Sequence, residues 1–97
     1  MLEKDIEKKV CDYAKEKGML VYKFTSPARR GVPDRLFVVN GGRIFFIEFK
    51  APGKLLSPAQ EREHYRLAQH GVDVYTTDNT VEGCAIIDME IVTHAKS

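Results

Sequence analysis

Two carboxylates and a lysine are arranged around one turn of this chain. Asp34 lies six residues before Asn40-Gly41-Gly42, Glu48 lies six residues after Gly42, and Lys50 follows two residues later. Asn-Gly-Gly between two β-rich runs is a hairpin signal. Antiparallel pairing across it carries Asp34 and Glu48 to the same end of the ribbon. Side chains alternate faces along a strand, so Ile44, Phe46, Glu48 and Lys50 share one face, and Phe45, Ile47 and Phe49 the other. Glu48 and Lys50 therefore interrupt a run that is otherwise apolar on both faces, where a buried charge is costly without partners. Two close carboxylates repel each other, and a divalent cation relieves that repulsion. Oxygen-only ligands favour Mg²⁺ or Mn²⁺, with water and substrate phosphate completing the shell. Such an ion acidifies water and neutralises charge at a phosphodiester, and Lys50 is placed to hold the attacking water or stabilise the transition state. The alternative for the same residues is a cross-strand salt-bridge cluster of Asp34, Arg35, Glu48 and Lys50 with a purely structural role.

These residues need a framework, and the rest of the chain supplies one. Leu2, Ile6, Val10, Tyr13 and Ala14 recur at helical spacing until Gly18 ends the pattern. Met19 to Phe24 is β-rich, and a basic loop, Ala28-Arg29-Arg30-Gly31-Val32-Pro33, follows it. Strands are expected over 34–39 and 43–50. Ser57-Pro58-Ala59-Gln60 opens a helix, with serine as cap, proline at the first helical position and glutamine where a capping box wants it. That helix runs to about His70, a fourth strand covers 72–77, and a closing helix covers 80–90. The order predicts an α/β fold with an αβββαβ core, a mixed four-stranded sheet flanked by helices, in which the last two strands run parallel across a helical crossover.

Composition bounds the function. The 97 residues, 43% hydrophobic and 30% charged, suit a single domain over 1–97 and exclude a disordered chain. No run approaches the length needed to span a bilayer, and the first residues carry charge rather than an apolar signal core, so a cytoplasmic protein without membrane partners is expected. Cys11 and Cys84 are too few and too far apart for a disulfide framework or a thiolate metal site; both are expected reduced, with Cys84 in the core. Residues 23–66 hold nine Lys/Arg against four Asp/Glu, whereas residues 67–97 hold one against five. A basic middle suits a phosphate-rich partner, although segregated surface charge looks the same in a sequence. Arg29 and Arg30 are candidate phosphate contacts, since arginine pairs bidentately with phosphate oxygens. Lys23, Arg35, Lys54 and Arg62 would extend that footprint, or be ordinary surface cations. His64, His70 and His94 lack metal-ligand spacing and read as surface or helix-end residues. Tyr13, Tyr65, Phe45 and Phe46 read as core or interface.

Gly31-Val32-Pro33-Asp34-Arg35, Gly41-Gly42-Arg43 and Phe46-Ile47-Glu48-Phe49-Lys50, in this order, resemble the PD-(D/E)XK nuclease superfamily, whose fold is restriction-endonuclease-like. Within it the chain most resembles the VRR-NUC (virus-type replication-repair nuclease) family. The likeness extends from Ile6-Glu7-Lys8-Lys9-Val10 through Lys23-Phe24-Thr25-Ser26-Pro27 to Ser57-Pro58-Ala59-Gln60 and Gly71-Val72-Asp73-Val74-Tyr75. The resemblance implies metal-dependent hydrolysis of DNA phosphodiester bonds, with Mg²⁺ or Mn²⁺ as cofactor. Asp34 and Glu48 match the metal-binding carboxylates, joined by the Phe49 carbonyl, and Lys50 matches the catalytic lysine. Gln60 matches the glutamine beside the site. Glu7 matches the acid of the opening helix, with Glu3 the competing choice. So small a domain is expected to act as a homodimer on branched DNA, as a Holliday-junction resolvase of a phage or prophage would. The last helix, with Val81, Ile86 and Ile87, is a candidate dimer surface. A non-catalytic nucleic-acid-binding module on the same fold, a general or flap-directed nuclease, and a protein-interaction domain are the competing expectations.

Overall fold

Helices and strands follow one another in the expected order in a computed structural model that describes residues 1–95. They are α1 (Glu3–Glu16), β1 (Leu20–Lys23), β2 (Arg35–Val38), β3 (Ile44–Phe49), α2 (Pro58–Gln69), β4 (Asp73–Thr77) and α3 (Thr80–Ala95). The sheet order is β1-β2-β3-β4. β1 and β3 flank β2 antiparallel, while β4 joins β3 in parallel after the α2 crossover. The Asn40-Gly41-Gly42 turn works because both glycines take positive φ, 105° and 97°, which closes the Val39 N–H onto the Arg43 carbonyl at 2.7 Å. Strand ends fall within one residue of the predicted limits, so Asp34 and Lys50 bracket the ribbon from just outside it. The closing helix runs on past the predicted end at Glu90, because Ile91 and Val92 continue it without a glycine or proline to stop it.

One face of the sheet is the main core. Ile6, Val10 and Ala14 form the α1 stripe, four residues apart, and meet Phe37, Phe45, Ile47 and Phe49 together with Ile86 and Ile87 of α3. The Phe37 and Phe45 rings stack at 4.9 Å, and Tyr75 meets Phe45 edge-on at 5.9 Å. α1 and α3 approach closely at Gly83, where an added Cβ would lie 2.4 Å from Val10 Cγ2. Two expectations change here. Ile86 and Ile87 point into this core and are unavailable to a dimer surface, leaving Val81 exposed on α3. The core thiol is Cys11, while Cys84 packs half-buried at the core's edge.

The opposite face is covered by α2 only along β3 and β4. Leu20, Tyr22 and Ile44, on that same face by register, remain exposed. The start of α2 forms as predicted: Ser57 Oγ accepts from the Gln60 N–H at 3.1 Å, and Gln60 Oε1 accepts from the Ser57 N–H at 2.9 Å. No helix of the described residues is long and apolar enough to cross a membrane.

Candidate active site

Pairing of Arg35 with Ile47 puts Asp34 opposite Glu48 at the next step of the ribbon. Pro33 is buried and lacks an N–H, which fits the chain's change of direction there, and the Phe24 N–H still donates to the Asp34 carbonyl at 2.9 Å. Asp34 Oδ2 accepts the Phe49 N–H at 2.9 Å, which turns its carboxyl toward β3. Glu48 is 3% exposed. Burial pushes the Asp34 carboxyl up to about 7, and the Glu48 carboxyl beside it adds to the rise against the opposing Phe49 N–H. The two carboxyls therefore sit close enough for the charge of Glu48 to be felt at Asp34.

α2 grips Glu48 from above. Gln60 Nε2 donates to Glu48 Oε2 at 3.1 Å while the same side chain caps the helix, so both roles foreseen for Gln60 coexist. His64 is buried rather than at the surface, with Nε2 3.7 Å from Glu48 Oε1. The reason is spacing: His64 follows Gln60 by four residues, one helical turn, and so shares the face turned to the sheet. That spacing was the available signal. His70 is exposed at the helix end as expected, and the side chain of His94 lies outside the described residues.

Lys50 follows β3 directly, anchored by its N–H donating to the Thr77 carbonyl at 2.9 Å, and no ion pair engages its ammonium among the described residues. The cross-strand salt-bridge cluster does not form. Arg35 is paired instead with Glu7 of α1, Nε to Oε2 at 2.5 Å, on the face opposite Glu48. This pairing raises the Arg35 pKa, Glu7 being the first cause. Glu7 and Arg35 line a cleft of about 530 Å³ with Lys4, Lys8, Lys15 and Lys23. Glu7 is thus half-buried behind the carboxylate pair and contributes to raising Asp34, whereas Glu3 is exposed.

Arg29 and Arg30 open on a second cleft of about 420 Å³, shared with Arg62 and Arg66. Glu63, nearly buried, accepts from Arg29 Nε at 2.9 Å and faces Arg66 Nε at 3.7 Å. The loop is held against α2 at Gly31, whose φ is +82° and where a Cβ would lie 2.4 Å from the Ala59 carbonyl oxygen. Arg66 is not among the expected phosphate contacts, although it follows Arg62 by one helical turn and shares its side of α2. Lys54 is exposed in the turn after β3 and lines neither cleft.

The arrangement fits an oxygen-loving divalent cation: two carboxyls crowd together with the Phe49 backbone between them, and Glu48 Oε1 is buried without a hydrogen-bond partner. Among the described residues no group of three or more His, Cys, Asp or Glu is placed to hold a metal ion.

Known proteins similar to this chain include one sequence relative and two solved structures. The relative, "Putative nuclease p44" of Acyrthosiphon pisum secondary endosymbiont phage 1, is 47% identical over 77 residues, 79% of this chain and 83% of its own. A solved structure described as a VRR_NUC domain superposes with a TM-score of 0.82 at 29% identity, over 89% of this chain and 94% of that one. A VRR_NUC domain protein shares the fold, with a TM-score of 0.74 at 16% identity over 91% of this chain and 86% of its own. No family model matches the chain.

Proposed function

The chain belongs to the VRR-NUC family of nucleases, and we propose that it is a metal-dependent endonuclease hydrolysing phosphodiester bonds of branched DNA, as a Holliday-junction resolvase does. One observation carries this reading: Asp34 and Glu48 lie side by side, Asp34 raised to about 7, with an unpaired Lys50 next in line. Asp34, Glu48 and the Phe49 carbonyl would hold Mg²⁺ or Mn²⁺, which when bound supplies Lewis acidity toward phosphate oxygen and toward water. The chain's own residues do the rest. Gln60 orients the Glu48 carboxylate. Lys50 offers a positive charge where negative charge develops on the phosphate. Glu7 supports the site from behind, through Arg35. Arg29, Arg30, Arg62 and Arg66 make a cationic track for the DNA backbone beside α2, with Lys23 and Lys54 as outlying phosphate contacts.

A homodimer suits this substrate, since a two-fold axis presents two sites to paired strands of a junction. The exposed Leu20, Tyr22 and Ile44 face offers apolar surface for the pairing, as do Val81, Met89 and Val92 on α3. A phage or prophage product acting in the host cytoplasm is consistent with the phage relative.

The test is cleavage mapping on a synthetic four-way junction and a linear duplex, with and without Mg²⁺ or Mn²⁺. Symmetric, metal-dependent nicks in the junction are expected. Lys50→Ala should bind the junction yet cut it about 10²–10³-fold more slowly, as for loss of one transition-state charge partner. Scattered or end-dependent cuts would make the protein a general or flap-directed nuclease. Junction binding with no metal-dependent cutting would leave a non-catalytic module on the same fold.

A further inference from the structure

Glu48 sits under α2, and a buried carboxylate calls for a donor at each oxygen. Oε2 has Gln60 Nε2 at 3.1 Å. Oε1 is buried with no hydrogen-bond partner, and so is His64 Nε2, 3.7 Å away. These are the two such side-chain atoms among the described residues, and they face each other. A carboxylate oxygen only accepts, whereas an imidazole nitrogen carrying hydrogen donates, so the two are chemically complementary. The separation exceeds a hydrogen bond by a few tenths of an ångström, which a small side-chain rotation closes. Gln60 and His64 stand one turn apart on the same face of α2, and the helix start that carries them is fixed by the Ser57 cap.

We propose that His64 is a positioning residue for the cation-binding carboxylate: with Gln60 it forms a two-pronged holder, one donor for each oxygen of Glu48. The holder limits rotation of the carboxylate, so that its orientation toward the cation is set before the cation arrives. This rests on the assignment of Glu48 as a ligand of the divalent ion. Neighbours that orient a metal-binding carboxylate typically govern about 10–100-fold in metal affinity. His64 acts through Glu48 and touches neither cation nor DNA.

Calorimetric titration of Mn²⁺ into the DNA-free protein tests this, with thermal unfolding of each variant alongside. The wild type should bind. His64→Leu should bind about 10–100-fold more weakly, and His64→Gln, whose amide keeps a donor near the position of Nε2, should recover most of that loss. In junction cleavage the His64→Leu defect should shrink as Mn²⁺ is raised, with KM for DNA unchanged. A folded His64→Leu that binds Mn²⁺ as tightly as the wild type overturns the positioning role and leaves the nuclease assignment standing. A wild type that binds no Mn²⁺ overturns the ligand assignment beneath both. Should His64→Leu fail to fold, His64→Gln decides alone: retained affinity supports the holder, and lost affinity in a folded variant overturns it.

Discussion

The two faces of β3 bury their side chains by different means. On one, Phe45, Ile47 and Phe49 are each 0% exposed beneath α1 and α3, and contacts there need only volume and shape. On the other, Phe46 and Glu48 are almost as buried, Phe46 against the Phe24 ring and Glu48 beneath Gln60 and His64 of α2, but Glu48 is satisfied through directional bonds and incompletely. The same six-residue strand thus stiffens the fold with alternate residues and spends that stiffness on the others. A pair of carboxyls this close repels itself once both are ionised and tends to move apart. It persists because the backbone bearing it cannot shift without disturbing a closed aromatic core.

Phe45→Ala breaks the comparison from the apolar side and carries the largest expected effect. It removes a ring packed between Phe37 and Tyr75 and should cost about 3–5 kcal/mol in urea-induced unfolding, as truncations of buried phenylalanine do. A loss below about 1 kcal/mol would mean that this face is not closed and that the rigidity assigned to it lies elsewhere.

Asp34→Asn sharpens the comparison from the polar side. The Asp34 carboxyl titrates near 7 in the folded protein against 3.8 ordinarily. Between those values the folded chain keeps a proton that the unfolded chain has released, so the residue's contribution to stability falls as pH rises from about 4 to 7. Asparagine keeps an acceptor for the Phe49 N–H and removes the charge. In chelator, variant and wild type should melt at similar temperatures near the acid end of that window, and the variant should melt progressively higher toward its upper end. Adding Mn²⁺ should then raise the wild-type melting temperature and leave the variant's nearly unchanged, because only a folded site binds the ion. Parallel melting curves across the whole range would show that burial beside Glu48 does not raise the Asp34 carboxyl.

How much of this was readable beforehand follows the same division. Features set by near neighbours in the chain were legible: the Asn40-Gly41-Gly42 turn, the Ser57–Gln60 cap, the α1 stripe, and the register that brings Asp34 to Glu48. Features set by what an element rests against were not. His64 looks like an exposed helix residue until α2 is laid over Glu48. Arg35 looks like a phosphate contact until α1 brings Glu7, 28 residues away in the chain, onto its Nε. Ile86 and Ile87 could belong to a dimer surface or a core until α3 is docked on the sheet. In each case the partner comes from a distant segment, and periodicity carries no information about which segment that is.

The smallest effect separates the two duties of Gln60. Ser57→Ala removes the hydroxyl that accepts the Gln60 N–H and should cost about 1 kcal/mol of stability, the ordinary value of a helix cap. The alanine backbone still donates its N–H to Gln60 Oε1, and Gln60 Nε2 still reaches Glu48. Mn²⁺ affinity and junction cleavage should therefore match the wild type at temperatures where the variant is folded. Gln60→Leu should do the reverse of that separation, losing metal affinity along with its share of the cap. If Ser57→Ala lowers metal affinity while remaining folded, the holder on Glu48 depends on the helix start itself, and the polar face is coupled to its frame more tightly than the apolar face is.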